Sequence, residues 1–200
     1  MYKVYGDMLS GNCYKIKLVL EHLGIAHEWI HVDILNKETH APAFKKMNPN
    51  ARIPALDLGN GEYLWESNAI LYFLSQNSDL FPSDSFLQAR VLQWQFFEQY
   101  SHEPYIATAR YINKYLGLPK AREAEYHGKQ TGGHHALSVM NQHLSSTNFF
   151  VDGQYSIADI SLFAYTHVAH EGGFDLSDYP HILSWIARIQ AMPTYIEMKR

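Results

Sequence analysis

The chain has 200 residues, of which 46% are hydrophobic and 18% are charged, and its formal net charge at pH 7 is −4. This composition is that of an ordinary globular protein and excludes a disordered chain. The length suffices for one or two domains with their own cores. The small acidic charge gives no indication of a nucleic-acid-binding surface, and no apolar run approaches the roughly 20 residues of a membrane span. We therefore expect neither a nucleic-acid nor a membrane partner.

The cysteine and histidine content bears on compartment and metal binding. Cys13 is the single cysteine, which excludes an internal disulfide and is typical of a reducing compartment. The first five residues resemble a strand and lack the apolar segment of a signal peptide. These features predict a cytoplasmic protein. The twelve histidines do not fall at the spacing of a known zinc motif, so we expect no metal.

The first part of the chain alternates strand and helix patterns. Residues 2–5 predict a short strand, and apolar residues at helical spacing predict a helix over 13–23. Apolar and polar residues then alternate over 30–34, which predicts a second strand. A strand, a helix and a strand in this order predict a βαβ unit with parallel strands and a right-handed crossover. A short helix is expected at 43–47.

Two apolar runs separated by turn residues follow at 53–58 and 63–65. The glycines and asparagine between them, at 59–61, are typical of a hairpin. Pro54 cannot donate a hydrogen bond within a sheet, so we place it at the first residue of the strand. A cis bond between Ile53 and Pro54 would turn the chain sharply. The N–H and C=O of Ile53 would then be able to pair with an extended peptide.

Glu66 and Ser67 stand at the start of the next predicted helix, which covers 67–76. The N–H groups and dipole of a helix N-terminus bind carboxylates, and the Glu66 carboxylate can hold an ammonium group. Together these groups suit the zwitterionic end of an amino acid, while Ile53 suits an extended backbone. A γ-glutamyl peptide has both features.

The second part of the chain has helical patterns throughout. A polar segment at 78–85 predicts a linker, so we divide the chain into a domain over 1–77 and an all-helical domain over 86–200. Long helices are expected over 86–116 and 120–144.

Within the helical region, three local features suggest structural detail. Pro104 is expected to bend the first helix, and Gly132 and Gly133 to weaken the second. Ser156 and Asp159 have the spacing of a capping box, and they precede a strongly apolar run that predicts a buried helix.

The segment R-I-P-A-L at 52–56, followed by W-E-S-N-A-I-L-Y-F-L at 65–74, resembles the glutathione-binding segment of the glutathione transferase superfamily. The resemblance covers nearly the whole chain, and it is to theta-like bacterial members and those with glutathione-disulfide reductase activity. It implies a thioredoxin-like N-terminal α/β domain, ordered βαβ-α-ββα, before an all-α domain. It also implies glutathione as co-substrate, a homodimer and a role in detoxification.

The loop that precedes the first helix carries three candidates for activating the glutathione thiol. A thiol with a pKa near 8.5 is largely protonated at neutral pH, and a hydrogen-bond donor to the sulfur favours the thiolate. Ser10 is placed similarly to the serine of theta-like members, and Asn12 resembles the asparagine of the reductase-like members. Cys13 is a third candidate. It would act as a nucleophile that forms a mixed disulfide with glutathione, as a cysteine does in omega-like and beta-like members. The structural alternatives are N-caps for Ser10 and Asn12 and a buried apolar role for Cys13.

Other residues are candidates for the remaining parts of the substrates. The glycine carboxylate of glutathione needs a cation, and Lys37, His40 and Arg52 are alternatives that are equally compatible with solvated surface charges. The resulting glutathione site comprises Asn12, His40, Arg52, Ile53, Pro54, Glu66 and Ser67. A small hydrophobic electrophile needs an apolar pocket, which often forms between domains; its candidate wall residues are Met8, Leu9, Tyr105 and Tyr111.

Three functions follow from this resemblance. The first is conjugation of glutathione to a small electrophile, with Ser10 or Asn12 stabilising the thiolate. The second is glutathione-dependent reduction of a disulfide or peroxide. The third is a non-catalytic interaction module, since a fold does not determine a function. The retained residues of the peptide-binding segment argue against the third.

Overall fold

The computed structural model describes residues 1–199, which form two compact units. The first unit contains residues 1–78 together with 193–199, and the second contains 79–192. Residues 193–199 therefore pack with the first unit, whereas the predicted division placed 86–200 in the helical domain. The Tyr14 hydroxyl donates to the carbonyl of Ile196, and His22 Nδ1 lies 2.9 Å from the hydroxyl oxygen of Thr194.

The first unit has the predicted thioredoxin-like arrangement, and that prediction is confirmed. Its sheet has the strand order β2-β1-β3-β4. Strands β1 and β2 are parallel, whereas β3 is antiparallel to both β1 and β4. Its elements are β1 (Tyr2–Gly6), α1 (Gly11–His22), β2 (His27–His31), α2 (Pro42–Met47), β3 (Ala55–Asp57), β4 (Tyr63–Trp65) and α3 (Ser67–Leu74).

Strand β2 lies earlier in the chain than the alternation over 30–34 predicts, so that expectation was wrong in its bounds. The reason is a turn at Asp33. One of its carboxylate oxygens accepts hydrogen bonds from the backbone N–H groups of Leu35 and Asn36, at 2.9 and 3.1 Å. An aspartate that bonds the backbone two residues on favours a turn, and here it ends the strand although apolar residues continue.

The second unit is all-helical, as predicted. Its helices are α4 (Ser85–Phe97), α5 (Glu103–Arg110), α6 (Glu123–Leu144), α7 (Ile157–Thr166) and α8 (Pro180–Gln190). A π-helical turn at Glu98–His102 joins α4 to α5 and ends two residues before Pro104, where the missing proline N–H interrupts the helical hydrogen bonds. No helix within residues 1–199 is long and apolar enough to cross a membrane.

The two glycines inside α6 have a packing role that their helix propensity does not indicate. Helix α6 runs without a break through both. A Cβ on Gly132 would lie 2.2 Å from Tyr105 Cε1, and a Cβ on Gly133 would lie 2.2 Å from Phe174 Cε1. Both positions therefore need glycine because aromatic rings approach the helix backbone closely.

The predicted capping box begins α7, which is buried along its whole length. One Asp159 carboxylate oxygen accepts from the N–H of Ser156 at 3.0 Å, and the Ser156 hydroxyl accepts from Ala158 N–H at 3.3 Å. The other carboxylate oxygen accepts from Phe150 N–H at 3.1 Å and from Trp185 Nε1–H at 2.9 Å. Asp159 therefore joins three segments of the second unit.

Candidate functional site

Ser10 precedes α1 and occupies its N-cap position. Its backbone N–H donates to the carbonyl of Asp7 at 2.9 Å, and its own carbonyl accepts from Tyr14 N–H at 2.8 Å. Its side chain makes no capping hydrogen bond. The Ser10 hydroxyl therefore does not cap α1, although the structural alternative for Ser10 requires that it does.

Cys13 lies in the first turn of α1 and is completely buried. Its sulfur packs against β1, where a Cβ on Gly6 would lie 2.6 Å from Cys13 Sγ. Burial raises the pKa of the Cys13 thiol to about 12. A hydrogen bond from Ser10 lowers this pKa, but the effect of burial is larger. A buried thiol of this kind is protonated at neutral pH and inert as a nucleophile. This environment favours the apolar, structural role for Cys13.

A chain of hydrogen bonds joins α1 to the start of α3. The Ser67 hydroxyl donates to Asn12 Oδ1 at 3.0 Å, and Lys15 Nζ donates to Ser67 Oγ at 3.3 Å. Lys15 is 0% exposed and Ser67 is 5% exposed. The structure thus brings together two of the predicted site residues, Asn12 and Ser67, and adds Lys15 to them.

Glu66 stands immediately before α3 in an unusual backbone conformation. Its φ of 70° and ψ of 113° lie outside the regions that non-glycine residues normally adopt. Residues held in such conformations cluster at functional sites. The exposed Glu66 side chain makes no capping hydrogen bond to α3, while its carbonyl accepts from Ile70 N–H at 3.0 Å.

The peptide bond between Ile53 and Pro54 is cis. Strand β3 begins at Ala55, one residue later than predicted. Asn48 orders the segment that precedes this bond, since its buried side-chain amide donates to the carbonyl of Arg52 at 2.7 Å. The Ile53 side chain packs against the buried cluster that includes Ala55.

The candidates for the glycine carboxylate all lie between β2 and β3 and are exposed. Lys37 has a left-handed φ of 60°, and His40 ends the short 3₁₀ turn that follows it. Arg52 lies directly before Ile53 in the chain. All three remain candidates for binding this carboxylate.

The four candidates for the electrophile pocket are all half-buried. Met8 and Leu9 belong to the loop before α1, in the first unit. In the second unit, Tyr105 packs against Gly132 of α6, and the Tyr111 ring lies 5.6 Å from the ring of Tyr115. Part of each tyrosine surface therefore serves packing within the helices.

Within residues 1–199, no group of three or more His, Cys, Asp or Glu side chains could hold a metal ion.

Lys15 is the residue that the sequence-based prediction of the site missed. A spacing signal was available, because Asn12 and Lys15 are three residues apart and so share a face of α1. A lysine between the apolar residues Tyr14 and Ile16 also indicates a cation on a buried helix. Its partner Ser67 lies 52 residues away in the chain, which no local pattern shows.

Comparisons with known proteins match this architecture. The family model described as "Glutathione S-transferase, N-terminal domain" matches residues 9–77, and "Glutathione S-transferase, C-terminal domain" matches residues 94–193. The crystal structure of a glutathione S-transferase from Pseudomonas fluorescens Pf-5 has a TM-score of 0.97 and 57% identity, and covers 98% of both chains.

More distant relatives carry different names. The glutathione S-transferase-like protein tpcF of Aspergillus fumigatus is 29% identical over 95% of this chain and 91% of its own length. The transcriptional regulator URE2 of Saccharomyces cerevisiae is 27% identical over 100% of this chain and 68% of its own length. Ure2p in complex with S-p-nitrobenzylglutathione has a TM-score of 0.85 and 25% identity, covering 96% of this chain and 91% of that one. The resemblance found in the sequence is therefore confirmed: the chain belongs to the glutathione S-transferase family.

Proposed function

We propose that this protein is an enzyme that conjugates glutathione, through its thiol sulfur, to a small hydrophobic electrophile. The observation that carries this proposal is the 3.0 Å hydrogen bond from the Ser67 hydroxyl to Asn12 Oδ1. It links the first turn of α1, where Asn12 is a candidate for thiol activation, to the helix end suited to the γ-glutamyl group. The glutathione conjugate bound by Ure2p and the name of the Pseudomonas relative support the same assignment.

In this proposal, the N-terminus of α3 binds the γ-glutamyl carboxylate through the Ser67 hydroxyl and the backbone N–H groups of the first turn. The Glu66 carboxylate holds the γ-glutamyl ammonium group. The backbone of Ile53, before Pro54, pairs with the cysteinyl residue of glutathione as an added strand does. The glycine carboxylate binds one of three exposed cations: Lys37, His40 or Arg52.

The Ser10 hydroxyl or the Asn12 amide donates a hydrogen bond to the glutathione sulfur and so favours the thiolate. With an aryl halide, the thiolate sulfur forms a bond to the ring carbon. The carbon–halogen bond then breaks, and the halide leaves with the bonding electron pair. The thiol proton goes to solvent. Met8 and Leu9, in the loop before α1, are the proposed apolar contacts of the electrophile.

A regulatory function is the second candidate, and one observation favours it: a relative that aligns with the whole of this chain is named a transcriptional regulator. Reduction of disulfides by glutathione is a variant of the enzymatic proposal. The burial of Cys13 argues against a version of that reaction in which the protein's own thiol attacks.

Three alanine variants test the activation of the thiol. In Ser10→Ala or Asn12→Ala, loss of one hydrogen bond to a charged group should lower conjugation of an aryl halide at neutral pH roughly 10- to 150-fold. Part of this activity should return at higher pH, where the thiolate forms unaided. Cys13→Ala should retain activity. The measurement is the pH–rate profile, together with the ultraviolet absorbance of the bound thiolate.

A profile in which Cys13→Ala loses nearly all activity while the other two variants keep theirs would contradict this mechanism. Absence of turnover with aryl halides, hydroperoxides and disulfides, despite glutathione binding, would favour the regulatory function instead.

We also propose that the protein is a cytoplasmic homodimer with a role in detoxification. Contiguous exposed apolar patches mark interaction surfaces, and both units expose large apolar side chains that could belong to one. The first unit exposes Tyr63, Trp65, Tyr72 and Phe73, and the second exposes Phe86, Phe96 and Tyr100. Light scattering should give twice the chain mass for the wild type and a lower mass for Phe96→Lys. A wild type that is monomeric at micromolar concentration would refute the dimer.

A further inference from the structure

We propose that Asn48 is a positioning residue of the glutathione site. Its buried side-chain amide fixes the peptide group between Arg52 and Ile53, and so directs the Ile53 N–H toward the carbonyl of the cysteinyl residue of glutathione. This inference rests on the proposed function, in which the Ile53 backbone binds that residue. Asn48 does not touch glutathione in this arrangement, because it acts through the backbone of Ile53.

The hydrogen bonds of the Asn48 side chain are the first observation. Asn48 is 2% exposed. Its Nδ2 donates to the carbonyl of Arg52 at 2.7 Å, and its Oδ1 accepts from the N–H of Asn50 at 2.9 Å. Because only Nδ2 donates and only Oδ1 accepts, this pair of bonds fits a single orientation of the amide. A buried polar group whose two ends are both bonded makes its surroundings rigid.

The backbone between Asn48 and Arg52 is the second observation. The N–H of Asn48 donates to the carbonyl of Phe44 at 2.9 Å, which joins it to α2, and its own carbonyl accepts from Ala51 N–H at 3.0 Å. Ala51 has a left-handed φ of 54°, which is costly for a residue with a Cβ. Such a conformation persists only where its surroundings impose it. The contacts of Asn48 therefore impose one conformation on this segment.

The planarity of the peptide group carries this order to the ligand. The peptide bond between Arg52 and Ile53 is trans, so its C=O and N–H point in opposite directions within one plane. Because the C=O is held toward the buried amide of Asn48, the N–H of Ile53 points away from Asn48. The Ile53 side chain is also held, since it packs against the buried cluster that includes Ala55. In an extended pairing, such an N–H bonds a carbonyl of the added strand, which here is that of the cysteinyl residue.

A ligand that lacks this carbonyl tests the inference. It is the trans-alkene isostere of glutathione, in which a carbon–carbon double bond replaces the amide between the cysteinyl and glycyl residues and every charged group is kept. Titration calorimetry gives the affinity of glutathione and of the isostere for the wild type, for Asn48→Ser and for the control Asn60→Ser. The side chain in Asn48→Ser is too short to reach the Arg52 carbonyl, but its oxygen can still accept from Asn50 N–H. Asn60 accepts a bond of the same kind, from Glu62 N–H at 3.0 Å, in the exposed hairpin turn.

The wild type should bind the isostere roughly 3- to 10-fold more weakly than glutathione, because a neutral hydrogen bond is lost. In Asn48→Ser, we expect the affinity for glutathione to fall by a similar factor, since the Ile53 N–H is no longer directed at its partner. The affinity for the isostere should change by about twofold or less, so that the residue and the ligand carbonyl are coupled. Asn60→Ser should leave both affinities within about twofold of the wild type. In kinetics, Asn48→Ser should raise the KM for glutathione while kcat at saturating glutathione stays near that of the wild type.

Equal losses for the two ligands in Asn48→Ser would show a merely structural role and overturn the inference, as would no loss for either. A wild type that does not bind glutathione would overturn the proposed function and this inference together. A wild type that binds glutathione and the isostere equally well would overturn this inference alone. If circular dichroism shows that Asn48→Ser is unfolded, Asn48→Asp serves for the same comparison. It keeps the shape and the acceptor oxygen of the side chain but loses the N–H that donates to Arg52, and its charge acts on both ligands alike.

Discussion

Replacing Asp159 with alanine should lower the free energy of unfolding by about 3–5 kcal/mol, because each buried hydrogen-bond donor that loses its acceptor costs about 1–3 kcal/mol. The carboxylate is completely buried and accepts from the N–H and hydroxyl of Ser156, from Phe150 N–H and from Trp185 Nε1–H. Alanine leaves these donors without their acceptor and removes the cap of α7. Urea denaturation followed by circular dichroism gives the change.

Two variants calibrate this effect. Ser156→Ala removes the hydroxyl half of the capping box and should cost about 0.5–2 kcal/mol. Asp178→Ala removes an exposed carboxylate in the same unit and should change stability by about 0.5 kcal/mol or less. If Asp159→Ala unfolds at the same urea concentration as Asp178→Ala, the buried carboxylate does not hold these segments together.

Replacing Ser67 with alanine should lower the affinity for glutathione roughly 10- to 150-fold, because a hydrogen bond to a charged group contributes about 1.5–3 kcal/mol. The Ser67 hydroxyl is also the link between Lys15 and Asn12, so its loss affects both neighbours. Glu66→Ala should weaken binding by a similar factor, since it removes the proposed partner of the γ-glutamyl ammonium group. Titration calorimetry measures both.

Ser85→Ala is a matched control for Ser67→Ala, since Ser85 is also the first residue of a helix but is exposed. Glu62→Ala, in the exposed turn of the hairpin, is the control for Glu66→Ala. Both controls should bind glutathione like the wild type. Unchanged affinity for glutathione in Ser67→Ala and Glu66→Ala would show that the N-terminus of α3 is not part of the glutathione site.

The sequence by itself determined the order of the elements and the family. Turn residues separate β3 from β4, a capping box precedes α7, and apolar periodicity marks α1. Each signal lies within a few residues of the chain, where propensity and capping decide the backbone. The bounds of β2 were the main error, because the turn at Asp33 overrode a longer apolar alternation.

Only the tertiary structure decided which side chains meet. Lys15 and Ser67 are 52 residues apart, and Ser67 and Asn12 are 55 residues apart. Their bonds exist because α1 packs against α3. The same holds for the burial of Cys13, which depends on the closeness of β1. From the sequence, Gly132 is expected only to weaken its helix, and the structure shows that the ring of Tyr105 packs against it. Burial and hydrogen-bond partners arise from long-range packing, and residue spacing along one helix does not contain them.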